Sequence, residues 1–228
     1  MFTFANRYTA FVDACVLAKS LPRNLMLNLA EAEFFRVRWS HPVMDETQRA
    51  IERMQAKRPD AAKRAARARA EMERAFEDAM VEGFDSVLPI CAVLPDQNDA
   101  HVLAGAIKTR ADVLVTDNLK HFPEEVLATF NIDVLSDDSF IADTVTLNEG
   151  LAVAVIGRMR QNFWPKTSRR CLICDPIEPT SEISSLFSFM TRAKRRVEIY
   201  PTLPEDIGQM VKIGRIVHAF LRDPTKAR

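Results

Sequence analysis

No excess of either charge, no long apolar run and no second CxxC are found in this chain of 228 residues. Lys and Arg number 31 against 31 Asp and Glu. That balance excludes a generally basic nucleic-acid coat, while leaving room for a local basic rim around an acidic pocket. No apolar stretch approaches the ~18 residues of a membrane span. The start, MFTFANRYTAFVDACVL, lacks the charged head, apolar core and small-residue cleavage site of an export signal. A cytoplasmic protein with no membrane association is expected, its four cysteines reduced. Cys171 and Cys174 form one CxxC pair, but neither another pair nor a histidine pair completes a zinc site. There is no internal repeat, and no basic run is studded with the aromatics that stack on single-stranded bases.

What is present is enough apolar residue, 47%, to bury a sizeable core. The apolar runs YTAFVDACVL, RVRWS, ADVLVTD and IDVLS read as strands, with SVLPICAVL a further strand or buried connector. Helical patterns lie between them. LPRNLMLNLAEAEFF has Pro22 near its first turn, and the segment after Pro42 has Ser40 placed to cap it. The Ala-, Arg- and Glu-rich stretch Arg58 to Met80, a helix from Asp96 to about Arg110, PEEVLATF and DDSFIADTV follow. Alternating strands and helices predict an α/β domain with a parallel sheet flanked by helices over residues 1–146. Residues 147–228 are expected to form a mostly helical C-terminal extension: GLAVAVIGRMRQNFW reads as helical, and SEISSLFSFMTRAKRR and PEDIGQMVKIGRIVHAFL as two amphipathic segments, none with a chemistry-bearing motif.

Acids gather at the ends of these elements. Asp13 follows the apolar AFV and Asp117 follows VLVT, so both belong at the carboxyl edge of the sheet, where ligands bind in open α/β folds. Counting 100° per residue, Asp99 tops the stripe of Val102, Leu103, Ala106 and Ile107, and His101 falls on the opposite side. In the helix after Pro42, Glu46 flanks the stripe of Val43, Met44, Ala50, Ile51 and Met54, while Asp45 faces solvent. Each acid alone has a plainer explanation: Asp96 as a cap, Asp99 in a first turn favoured by the helix dipole, Glu46 on an i,i+4 ladder. Together, four acids from four elements converging on one edge would repel unless a cation offsets them. Oxygen ligands without a histidine or thiolate cluster suit Mg²⁺ or Mn²⁺.

FVDACVL, RWSHPVMDETQRAI, LPDQNDAHVLAGAIKTRADVLVTDNLKHFP and IDVLSDDSFI, in that order, resemble the PIN-domain family, especially its bacterial toxin-like (VapC-type) ribonucleases, over roughly residues 8–145. The resemblance implies a Rossmann-like sheet and a Mg²⁺- or Mn²⁺-dependent ribonuclease centre, blocked in toxin members by a small antitoxin encoded alongside. It maps the family's first acid onto Asp13, its helix glutamate onto Glu46 and its helix-start aspartate onto Asp99. Thr116 and Asn118 match the small polar residues that help orient ligands. The fourth acid departs from the pattern, since His121 stands where many relatives carry a carboxylate. Either Asp117 supplies it from a nearby position, or the site has three.

The expected function is metal-dependent hydrolysis of RNA by the toxin of a toxin–antitoxin pair, with Asp13, Glu46, Asp99 and Asp117 as metal-holding catalytic residues. Basic residues in Arg58–Arg69 or Arg192–Arg196 could grip the RNA backbone, or be plain solvated helix faces. A homodimer is a family-level expectation. The alternative is a PIN scaffold with weakened catalysis that binds protein or RNA, favoured by His121. A haloacid-type phosphatase is excluded, because Ala14–Cys15 stands where its second aspartate is required.

Overall fold

The computed structural model describes residues 8–163. Five strands form one sheet: β1 (Thr9–Val12), β2 (Arg36–Ser40), β3 (Met80–Val81), β4 (Val113–Val115) and β5 (Asp133–Leu135), ordered β3-β2-β1-β4-β5. Every pairing is parallel, with Phe11 opposite Arg38 on one side and Leu114 on the other. Parallel strands need helical crossovers that cover the sheet, so β1 and β4 are buried throughout. Burial of large side chains such as Phe11, Trp39 and Leu114 contributes roughly 1.5–3 kcal/mol each. The expected α/β sheet flanked by helices is what forms.

Seven helices accompany the sheet up to Asn148: α1 (Ala14–Leu17), α2 (Ser20–Glu31), α3 (His41–Met54), α4 (Ala61–Ala75), α5 (Ala100–Thr109), α6 (Glu124–Ala128) and α7 (Asp137–Leu147). The chain divides after Asn148 into two compact units. Of the second, only α8 (Glu149–Phe163) is described, where GLAVAVIGRMRQNFW reads as helical. The other two amphipathic segments, the CxxC pair and Arg192–Arg196 lie outside the described residues.

Several local expectations are corrected. YTAFVDACVL is not one strand: Val12 ends β1, and Asp13 accepts a hydrogen bond from its neighbour's N–H to open α1. Ser40 stands at the N-cap of α3, yet its hydroxyl is buried and forms no capping bond. SVLPICAVL is not a strand but a partly buried connector: it runs through a 3₁₀ segment, Asp85–Val93, to Leu94, with Cys91 and Leu94 buried and Ile90 and Val93 exposed. Pro89 has no N–H for a strand ladder, which removes the strand option physically. Met54 is exposed rather than part of α3's buried stripe.

One close approach sets the depth of the sheet's cover. A Cβ at Gly105, in the middle of α5, would fall 2.5 Å from Cζ of Phe11 in β1. Only a residue without a side chain lets α5 rest this near the central strand.

Candidate active site

The strand order runs outward in opposite directions from the β1–β4 pair, which makes the carboxyl end of that pair the switch point where α/β ligands bind. Asp13 sits there as the residue after β1, only 4% exposed. One of its oxygens accepts from the Ala14 N–H at 2.6 Å, and the other from the Thr116 hydroxyl at 2.6 Å and the Cys15 thiol at 3.1 Å. Thr116, the residue after β4, is itself fully buried and receives the Asn118 N–H on its oxygen at 3.1 Å. Asn118 thus acts through its backbone, and Thr116 passes the constraint to Asp13. Burial, and next the Asp13 charge, push the Cys15 thiol up to about 12, so it is a neutral donor.

Asp99 stands at the N-cap position of α5, as the last residue of a 3₁₀ turn (Gln97–Asp99) that Asp96 opens by accepting the Asn98 N–H at 2.9 Å. Its carboxylate lies 2.6 Å from His121 Nδ1, while an Asp96 oxygen lies 3.7 Å from the same nitrogen. Asp96, Asp99 and His121 bring ligand atoms within 4.8 Å of one another. The Asp99 pKa is raised, first by burial and also by the Asp13 charge, against the lowering hydrogen bond from His121. Asp13 and Asp99 therefore sense one another although they come from different elements.

Glu46 arrives in the second turn of α3, half-exposed, with His101 Nε2 at 3.6 Å. That histidine does not face away: its side chain is 15% exposed, and Nδ1 sits 2.8 Å from the Asn98 carbonyl. Burial lowers its pKa, but Glu46 chiefly, with the Asn98 carbonyl and Asp13, outweighs that and raises it. His101 thus links Glu46 electrostatically to the Asp13 and Asp99 group. Asp45 faces outward as expected and pairs with Arg69 of α4 at 2.5 Å.

Asp117 is drawn elsewhere. Its carboxylate pairs with Lys19, between α1 and α2, and Lys19 Nζ also lies 3.1 Å from Asp137 at the start of α7. Burial opposes the Lys19 charge, but the two carboxylates outweigh it and raise its pKa. Burial, then the Asp117 charge, raise Asp137. Among the described residues Asp96, Asp99 and His121 are the group whose ligand atoms lie together; Asp13 and Glu46 stand outside it, Asp13 acting on Asp99 and His101 by charge and Glu46 lying beside His101, while Asp117 pairs with Lys19 next to Asp137. Asp96, His101 and His121 were not assigned to the site from sequence, although Asp96 and Asp99 are one helical turn apart and His121 occupies the departing family position.

Residues 9–120 match the PIN domain family. This chain carries a PIN domain. Over 67 residues it is 45% identical to a Mycobacterium tuberculosis protein described as "Putative ribonuclease VapC50", a stretch that covers 29% of this chain and 40% of that protein. The chain thus spans less than half the length of this relative, and the likeness is to the VapC type of PIN protein. No solved structure matches. Among the described residues no helix is long and apolar enough to cross a membrane.

Proposed function

We propose that the PIN domain is a divalent-metal-dependent ribonuclease and the toxin of a toxin–antitoxin pair, with RNA as substrate and a small antitoxin as partner. The observation that carries this reading is the geometry of the acids: Asp13 is buried at the carboxyl end of β1 with both oxygens held, Asp96, Asp99 and His121 gather ligand atoms within 4.8 Å at the start of α5, and no Lys or Arg pairs with Asp13 or Asp99 among the described residues. The PIN family match and the resemblance to a ribonuclease-named relative support it.

The donor set fits a hard divalent cation: Asp13, Asp99 and Glu46 supply carboxylate oxygens, and Asp96 and His121 adjoin Asp99. When bound, such an ion would offset the carboxylate charges, acidify a water and stabilise the leaving oxygen of a phosphodiester. The protein's own part is preorganisation. Thr116, Cys15 and the Ala14 N–H fix both Asp13 oxygens before any ligand arrives. His121 holds Asp99 by its Nδ1 side, and the His101 imidazole steers Glu46 toward the same edge. Products with 5′-phosphate and 3′-hydroxyl ends are expected. The imidazole of His121 favours Mn²⁺ over Mg²⁺, because nitrogen ligands suit later divalent ions better.

The test is cleavage of single-stranded RNA by the full chain with Mn²⁺. Asp13→Asn and Asp99→Asn should each cut the rate by roughly a hundredfold or more, the scale of losing a preorganised charge in a site. One observation favours a second reading, a scaffold with weakened catalysis: Asp117 is engaged by Lys19 and His121 replaces the family carboxylate. Absence of turnover by the wild type at high enzyme and Mn²⁺, with RNA or protein binding intact, decides for that scaffold.

A further inference from the structure

The arginines of α3, of α4 and of the turn between them include both neutralised and unpaired charge. On α4, Arg64 pairs with Asp60, Arg67 with Glu71 and Arg69 with Glu73 and Asp45. Arg69 ties α4 to α3 through Asp45, Arg64 also reaches Gln55 just after α3, and so paired these guanidinia leave little field for a ligand. Arg49, Arg53 and Arg58 differ: all are exposed and, among the described residues, none makes an ion pair.

The three line one cavity of about 570 Å³ at the far end of α3, shared with Glu52 and the small residues Ala61 and Ala62 of α4. The small side chains leave the cavity room, and the arginines outnumber the single acid. Arg49 and Arg53 also stand at i+3 and i+7 from Glu46, so that all three share one face of α3. Seven residues of helix advance about 10 Å, about three stacked nucleotides at 3.4 Å each. A lone Arg53 in the last turn is explained by the helix dipole. Arg49, a turn earlier, and Arg58, beyond the helix, are not.

We propose that Arg49, Arg53 and Arg58 form a phosphate-binding track for the backbone of single-stranded RNA, leading away from the Glu46 end of α3. The proposal rests on the ribonuclease reading and adds where the substrate strand runs. Guanidinium forks take phosphate oxygens in pairs, and a cavity without aromatic side chains grips backbone without selecting bases. A sequence-tolerant hold beside the site results.

The experiment compares the full-length wild type with Arg49→Gln/Arg53→Gln and with Arg67→Gln, which removes a paired charge from the neighbouring helix. Circular dichroism confirms folding, which exposed arginines do not endanger. Binding of a fluorescein-labelled 12-nucleotide RNA is followed by anisotropy in EDTA over a salt series, and cleavage in Mn²⁺ gives KM and kcat. The double variant should bind about tenfold more weakly, with its salt slope smaller by roughly 1.4, the release of counterions from two single-strand phosphates. KM should rise with kcat nearly unchanged, and Arg67→Gln should match the wild type. Unchanged affinity and slope in the double variant, while the wild type binds and cleaves, overturns the track and leaves the ribonuclease reading standing. A wild type that neither binds nor cleaves RNA removes both.

Discussion

The Thr116 hydroxyl donates a 2.6 Å hydrogen bond to the buried Asp13 carboxylate across 103 residues of sequence. It joins the ends of β1 and β4, so the position of the central acid depends on a neighbouring strand. Thr116→Val keeps the shape and removes the donor. It should cost about 1–3 kcal/mol, because a buried carboxylate oxygen loses a partner, while Thr116→Ser recovers most of that. Chemical denaturation measures both, and equal stability of the Val and Ser variants would show the bond to be dispensable.

Asp99 carries a pH signature. Its folded pKa is raised above the ordinary 3.8, so the fold favours the protonated form. The associated stability is fully present below pH 3.8 and is lost as pH rises through the higher folded value. Asp99→Asn mimics the neutral state and should raise Tm at pH 7, with the advantage vanishing below pH 3.8. Mn²⁺ should raise the wild-type Tm and leave the variant nearly unmoved. Thermal melts at pH 3.5 and pH 7 check this, and a variant less stable than wild type at neutral pH contradicts it.

Metal preference should follow position 121. His121→Asp restores an oxygen donor beside Asp99, and should shift relative binding toward Mg²⁺ by about tenfold against Mn²⁺. Calorimetric titration of the two ions reads this directly. An unaltered Mn²⁺-to-Mg²⁺ affinity ratio means that the imidazole lies outside the coordination sphere.

Lys19 holds two acids at once, and Asp137 is only 4% exposed. Lys19→Met should cost roughly 1 kcal/mol, since the lysine is partly solvated and its pairs are screened. Asp137→Asn in the same chain should recover much of the loss by removing the uncompensated charge. Additive effects in the double-mutant cycle would show that the two residues do not communicate.

The thiols at Cys15 and Cys91 should be unreactive in the folded protein, since burial pushes them up to about 12 and about 11. The thiolate is the nucleophile, and at pH 8 almost none exists at either position. Brief iodoacetamide treatment should leave peptides containing them unlabelled until guanidinium is added. Native labelling of Cys15 would contradict the arrangement around Asp13.

Strands β1 and β4 were legible because runs buried on both faces cannot alternate, and Asp13 was legible because it follows such a run. Asp99 and Glu46 could be aimed by counting along their own helices. His101 could not: the partner that draws it inward, Glu46, belongs to another helix and enters no single-helix projection. The direction of Asp117 was hidden for a similar reason, as its carboxylate pairs with a lysine 98 residues away. The 3₁₀ segment before Leu94 is apolar like a strand, and composition does not report that Ile90 and Val93 face solvent while Cys91 is buried.

Gly105 gives the acidic cleft a gauge that no acid in it controls. Asp99 rides on the same helix, six residues before the glycine, and Asp13 follows Phe11 on the strand beneath. The span between the two carboxylates is therefore inherited from one absent methyl group. Enlarging that residue would press the helix against Phe11 and push it outward, displacing Asp99 with its charge intact.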